Sequence, residues 1–369
     1  MTDDLGPPQR LKIGEGFISG YLSILFGLVS LGAVICFLFP EYLTTPEFRN
    51  HYPLEAIRKL LLACIIGSYL FSVLSFVLSS QPKLALTGAL FSTVAVLMGG
   101  TGVEVAEVNQ SIGSLSLDWL LLDIVALSVI FIPLELFAPQ RREQTKFHPE
   151  WRTDAIYFAI SHLAVQYTAV VIKLPAETLI GDVGLEPLQS TVSSWPFFVQ
   201  LVLAMLVADF FQYAAHRFFH SNSVMWRFHA VHHSVKAMDW VAGSRLHIVD
   251  ILVTRAFSYM PLYVLGFSIE VFYAYVAIVA FQAVSAHANI RIPFGPLKYL
   301  LVTPQYHQWH HSDEPEHYNK NFAIHFPAID RVFGTYYLPG TKWPETIGLG
   351  DQPMPKGYVR QFLFPFRMR

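Results

Sequence analysis

The chain has 369 residues, 53% hydrophobic and only 14% charged, with a net charge of −2. A typical soluble protein is roughly 25% charged, so the composition excludes an ordinary soluble domain, and the near-neutral balance excludes a basic field that would gather nucleic acid. The two cysteines, Cys36 and Cys64, lie inside apolar runs, which excludes a disulfide framework, a four-cysteine zinc site and an iron–sulfur cluster and leaves nitrogen or oxygen to hold any transition metal.

Residues 1–16 are polar, and the uncharged run Phe17–Phe39 that follows is 23 residues long and ends at Pro40. About 20 residues suffice to cross a hydrocarbon core. A signal-peptide core has only about 7–15 residues, and no small-x-small cleavage site follows this run, so it reads as an uncleaved membrane helix. Gly16 and Gly20 form a GxxxG pair at its start, read as a helix-packing notch. The spacing of Gly14, Gly16 and Gly20, with no preceding strand, does not make a nucleotide-binding loop.

Leu60–Ser80, Leu84–Met98 and Trp119–Phe137 read as the second to fourth spans. Glu135 lies near the end of the fourth, where it could reach headgroups, and Asp123 could make a polar contact between helices. Residues 139–153 form a basic loop with Arg141, Arg142, Lys146 and Arg152. Ala155–Ile172 and Trp195–Ala215 read as a fifth and a sixth span. Ile251–Gly266 and Ile269–Ala286 fit either two spans or a re-entrant hairpin. From Asn289 onward the chain is rich in proline and aromatic residues. The division expected is a membrane region over 1–138, a catalytic region with a histidine-rich cap over 139–345, and a tail over 346–369.

Lysine and arginine placement orients the chain. Loop 99–118 and residues 174–194 carry none, whereas 139–153 and 216–250 are basic. This puts the basic segments in the cytosol, although the loop at 41–59, expected outside, also holds Arg49, Arg58 and Lys59. The fold class expected is an all-α integral membrane protein, a multi-span helical bundle capped by histidine-rich helices on its cytosolic face, in a bacterial inner membrane or the endoplasmic reticulum.

Ten of the 15 histidines fall between positions 216 and 311, and nine of them, all but His247, lie in four short motifs. HRFFH supplies His216 and His220; HAVHH supplies His229, His232 and His233; AHANI supplies His287; and HQWHH supplies His307, His310 and His311. Residues three and four apart share a helix face, so HRFFH presents two imidazoles on one side and each HxxHH presents three. Packed neutral imidazoles have little other reason to share helix faces, and their number suits two metal ions better than one.

Asp209, seven residues before His216, lies about 20° away around the helix and two turns deeper. It could accept the second ring N–H of a ligating histidine or make a helix–helix hydrogen bond. His247 could be an outer-shell group or a surface residue. His51, His148, His162, His317 and His325 read as structural. Imidazoles suit iron, zinc and copper alike. Two redox metals beside a bilayer suit activation of O2 against an unreactive C–H bond of a lipid entering laterally, with electrons arriving from the cytosol. A histidine-rich metal transporter and a catalytically silent zinc protein are the alternatives. Transport calls for polar groups at mid-membrane in broken helices, whereas these clusters gather at one face.

The run DFFQYAAHRFFH…WRFHAVHHS, then HANIRIPFGPL, TPQYHQWHHS and NKNF…IDRVFGT, resembles the fatty acid hydroxylase/sterol desaturase superfamily over residues from about 150 to 338. The resemblance implies a non-haem di-iron centre held by His216, His220, His229, His232, His233, His307, His310 and His311, with His287 matching a further histidine. It also implies O2 as co-substrate and hydroxylation or desaturation of a lipid such as a sterol, a fatty acyl chain or a lipid headgroup. Three positions depart from the pattern: Ala283 stands where some members have a second histidine before the last box, Ile248 follows His247 where proline is frequent, and Ala323 replaces a glycine. There is no cytochrome b5-like HPGG segment, so a separate electron-donor protein is expected.

Overall fold

The computed structural model describes residues 14–45, 53–78, 82–106, 116–183 and 185–367. Among them there is no β-strand, only a bridge between Ser312 and Ile347. The helices are α1 (Phe17–Leu38), α2 (Pro40–Leu43), α3 (Leu54–Leu78), α4 (Lys83–Leu97), α5 (Leu117–Phe137), α6 (Trp151–Val183), α7 (Glu186–Ser193), α8 (Phe197–Ser221), α9 (Ser223–His233), α10 (Ile248–Leu265), α11 (Ile269–His287), α12 (Pro304–His310), α13 (Pro327–Val332) and α14 (Tyr358–Arg367).

Seven of these, α1, α3, α4 with its extension to Gly102, α5, α8, α10 and α11, are long and apolar enough to cross a membrane. Their outward faces are greasy: Leu70, Val73 and Val77 on α3 are 65%, 64% and 72% exposed. Apolar side chains in such rows need lipid around them rather than water. The protein is thus an integral, multi-pass membrane protein. The expected fifth span, Ala155–Ile172, lies within α6, which is not among these seven. The two runs after position 250 are complete helices, separated where Gly266 adopts φ +79° and Ser268 accepts the Val271 N–H to begin α11.

Two compact units form, Met1–Val129 with Thr145–Phe147, and Ile130–Gln144 with His148–Arg369. In the first, small residues let α1 lie close on α3 and α4. A Cβ on Gly20 would meet Leu84 Cβ at 2.7 Å and Ser75 Oγ at 2.8 Å, so Gly20 alone is the packing notch, while Gly16 precedes the helix as its N-cap at φ +78°. Ser23 and Ser68 exchange hydroxyl-to-carbonyl hydrogen bonds of 2.9 and 2.8 Å, satisfying polar groups where lipid offers no partner.

In the second unit, α8 packs on α9, α10 and α11, and α10 packs also on α6. A core of Tyr213, Ala286, Val302, Tyr306, Phe322 and Ile329 lies beside the histidine helices. Glu135 does not reach for headgroups. It is buried, and its Oε1 accepts the backbone N–H of Trp240 at 2.8 Å and of Asn289 at 2.9 Å, two residues beyond His287.

Candidate metal centre

Local sequence sets each histidine helix in place. The Asn222 side chain accepts the N–H groups of Val224 and Met225 and so starts α9. Thr303 caps α12 by accepting the Tyr306 N–H, with Pro304 at the first helical position, where its missing N–H costs nothing. His216 and His220 come from the end of α8, and His287 ends α11.

The nine histidines divide into two groups whose ligand-capable nitrogens lie within 4.8 Å of one another: His216, His220, His229, His233 and His310 in the first, and His232, His287, His307 and His311 in the second. The expectation that each HxxHH aims three rings one way is corrected here. In a helix, position i+4 lies about 40° to one side of i and position i+3 about 60° to the other. Accordingly His229 and His233 join the first group while His232 joins the second, and His307 and His311 join the second while His310 joins the first. The two groups abut, with the rings of His233 and His311 stacked at 4.3 Å between centroids.

Within the second group His287 Nε2 lies 3.0 Å from His307 Nε2, and 3.2 Å from both His232 Nε2 and His311 Nε2. In the first group His216 and His229 approach through Nε2 at 3.1 Å, as do His233 and His310. Five rings have their other nitrogen engaged. Nδ1 of His216, His232, His287 and His310 donates to the carbonyls of Phe322, Arg245, Ala283 and Lys320 at 2.8, 3.2, 2.7 and 2.7 Å. Nδ1 of His229 donates to Asp250 Oδ2 at 2.6 Å. A carbonyl can only accept, so four of these rings must carry their proton on Nδ1 and present a bare lone pair at Nε2.

Lone pairs therefore converge, and one shared proton cannot satisfy three neighbours of His287. Two nitrogens each about 2.1 Å from one divalent ion, at angles between right and tetrahedral, stand about 3.0–3.4 Å apart, which matches the spacings here. His220 Nε2 is buried with no hydrogen-bond partner among the described residues, a further nitrogen available to an ion. Burial and the neighbouring imidazoles push the pKa of His229, His233, His307 and His311 well below the ordinary histidine value, which keeps the rings neutral. The residues present fit two nitrogen-ligated ions.

Two sequence-based assignments are corrected. Asp209 bonds no ligating histidine: its Oδ1 accepts the Ile324 N–H at 2.7 Å, and its Oδ2 accepts those of His325 and Phe326 at 3.0 and 2.7 Å. The carboxylate thereby pins the loop whose Phe322 carbonyl orients His216. Nor does His247 touch either group or lie on the surface. It is buried, caps α10 by accepting the Val249 N–H, and donates through Nε2 to the Phe362 carbonyl of α14. His148 sits between Asp154 and Asp239, His162 beside Ser244, and His317 beside Ser312; His51 lies outside the described residues.

Sequence reading missed Asp250, Gly243 and the loop 319–323. Asp250 takes the role expected of Asp209, because it alone of the two faces His229. Asn319 and Asn321 adopt φ of +57° and +59°, a conformation asparagine tolerates better than most residues, and this exposes the carbonyls of Lys320 and Phe322 to His310 and His216. The NKNF motif is the one signal that pointed there. A Cβ on Gly243 would meet His287 Nδ1 at 2.8 Å, and nothing in the local sequence marks that contact.

A cavity of about 60 Å³ opens against both groups, touching His216, His229, His232, His287 and His307. Its remaining wall includes Thr254 and Arg255 of α10 and Val279 and Ala283 of α11, two helices able to span a membrane. A second cavity, about 330 Å³, reaches the first group through His220, His233 and His310 beside Trp226 and Gln352.

Residues 201–335 match the family model described as fatty acid hydroxylase. Similar proteins include ornithine lipid hydroxylase OlsE of Rhizobium tropici, 36% identical over 47% of this chain and 52% of that protein. Methylsterol monooxygenase 1-1 of Arabidopsis thaliana is 29% identical over 37% of this chain and 46% of its own length. The alkylglycerol monooxygenase of Homo sapiens is 29% identical over 38% and 31%, respectively. The chain thus spans about half of these relatives' length, or less. No solved structure matches.

Proposed function

For a chain whose residues 201–335 match the fatty acid hydroxylase family model, we propose an O2-dependent lipid hydroxylase with a di-iron centre. The single observation that carries the reading is the pair of abutting imidazole groups beside a cavity walled by membrane helices. His216, His220, His229, His233 and His310 would hold one iron, and His232, His287, His307 and His311 the other. Bound iron would supply O2 activation, with electrons from a separate donor protein.

The chain's own residues contribute orientation and exclusion of water. Asp250 and the carbonyls of Phe322, Arg245, Ala283 and Lys320 fix the tautomers of five rings, which aims their Nε2 lone pairs before an ion arrives. Ala283 serves the centre through its carbonyl, which accepts the Nδ1–H of His287. The cavity wall from α11, with Val279, Ala283 and Ala286, is apolar and would admit a lipid chain while keeping bulk water out. The basic segments 139–153 and 216–250 support a cytosolic orientation for the centre. The catalytic region is assigned to residues 139–345, with 1–138 as an accessory membrane region and 346–369 as a tail.

The named substrates of the relatives, an ornithine lipid, methylsterols and alkylglycerols, define the classes to try. Lipidomes of cells with and without the protein test the reading: a lipid gaining one oxygen is expected. Loss of two hydrogens instead would mean desaturation, and zinc without iron in the purified protein would overturn the redox assignment.

A further inference from the structure

Arg255 of α10 lines the cavity that touches both histidine groups. It is 7% exposed, and its Nε and Nη1 are buried without a hydrogen-bond partner among the described residues. The one cation–π contact it makes is with Tyr259, whose ring centroid lies 5.7 Å from Cζ. Asp250 lines the same cavity and lies within electrostatic reach of Arg255, but its Oδ2 accepts the Nδ1–H of His229 and it makes no hydrogen bond to the guanidinium among the described residues. Asp250, Tyr259, Tyr275 and His325 are the titratable groups within its electrostatic reach.

An arginine keeps its charge in proteins, and a buried cation without hydrogen-bonded anions is costly, above all in a membrane helix. Such a guanidinium, planar and rich in donors, is shaped for a carboxylate or phosphate. We propose that Arg255 binds the anionic group of the lipid substrate, so that this cavity selects a lipid bearing a carboxylate or a phosphate. Its volume of about 60 Å³ has room for about five water-sized groups, enough for a compact anion and the adjoining carbons but not for a ring system. The inference deepens the reading of this site as a lipid hydroxylase and rests on it.

The test is equilibrium binding of radiolabelled probes to the iron-loaded full chain in phosphatidylcholine nanodiscs. The probes are oleate against oleyl alcohol, and dioleoyl phosphatidate against dioleoylglycerol. In the wild type, at least one anionic probe should bind about tenfold tighter than its neutral counterpart, and which pair shows it identifies carboxylate or phosphate as the ligand. Arg255→Gln should bring that ratio near one, and Arg255→Lys should retain most of it. Equal binding within both pairs, or an unchanged ratio in Arg255→Gln, overturns the proposal. The wild-type comparison decides the matter even if Arg255→Gln does not fold. Equal binding by a protein that still oxidises a lipid would sink this inference and leave the function standing. A persisting charge preference in a protein that oxidises none would do the reverse.

Discussion

The Nδ1–H of His229 donates to Asp250 Oδ2 across 2.6 Å, with both groups buried. This is the one ring of the nine whose second nitrogen meets a carboxylate among the described residues, and it links α9 to the first turn of α10. The carboxylate makes the ring a stronger donor and fixes its direction.

Asp250→Asn should therefore weaken metal binding by about 10–100-fold. Iron retained per chain during dialysis against a graded chelator series reads this directly. Retention equal to wild type would show that Asp250 does not support the site.

Gly243→Ala should act on the other group. The added Cβ would press on His287 at 2.8 and 2.9 Å and on the Ala283 carbonyl at 3.0 Å, the same carbonyl that orients that ring. One iron per chain, rather than two, is the outcome expected from elemental analysis of the folded variant.

His310→Ala and His232→Ala remove one nitrogen from the first and the second group, respectively. Each should abolish turnover and lower the iron content while membrane insertion stays intact. Full activity in either variant would remove that residue from the ligand set.

Asp209→Ala should destabilise the fold rather than strip the metal selectively. It leaves three backbone N–H groups without their acceptor, at about 1–3 kcal/mol for each that finds no other partner. A lowered melting temperature, with iron still bound in the molecules that remain folded, separates this role from ligation.

His148 predicts a pH effect. Burial pulls its pKa down, but the hydrogen bond and charge of Asp239, with Asp154 3.3 Å away, outweigh it and leave the pKa above its ordinary value. A raised folded-state value means the contribution is full below about pH 6.5 and fades as pH rises through the folded value. Wild type should thus lose stability over that interval relative to His148→Gln. Parallel melting curves for the two proteins across that range would refute the assignment.

Much of this protein is written in its sequence. Apolar runs long enough for a bilayer announce α1, α4 and α5 to within two residues, and α3 and α8 except for about six residues at one end of each, because burial in lipid constrains composition residue by residue. Spacing likewise singles out eight of the nine histidines, because helical periodicity is a local rule, whereas His287 stands alone and is marked by the family resemblance. What the tertiary structure decided is their division between two neighbouring positions and the identity of the groups that orient them. Asp209 and Asp250 both lie in apolar helices near the histidines, and only folding shows that one holds a loop and the other a ring. The carbonyls of Lys320 and Phe322, the bare flank of Gly243 and the unpartnered guanidinium of Arg255 acquire meaning from residues tens of positions away. Backbone groups are the same at every position, so the ones that orient a ligand are distinguished by where the chain carries them.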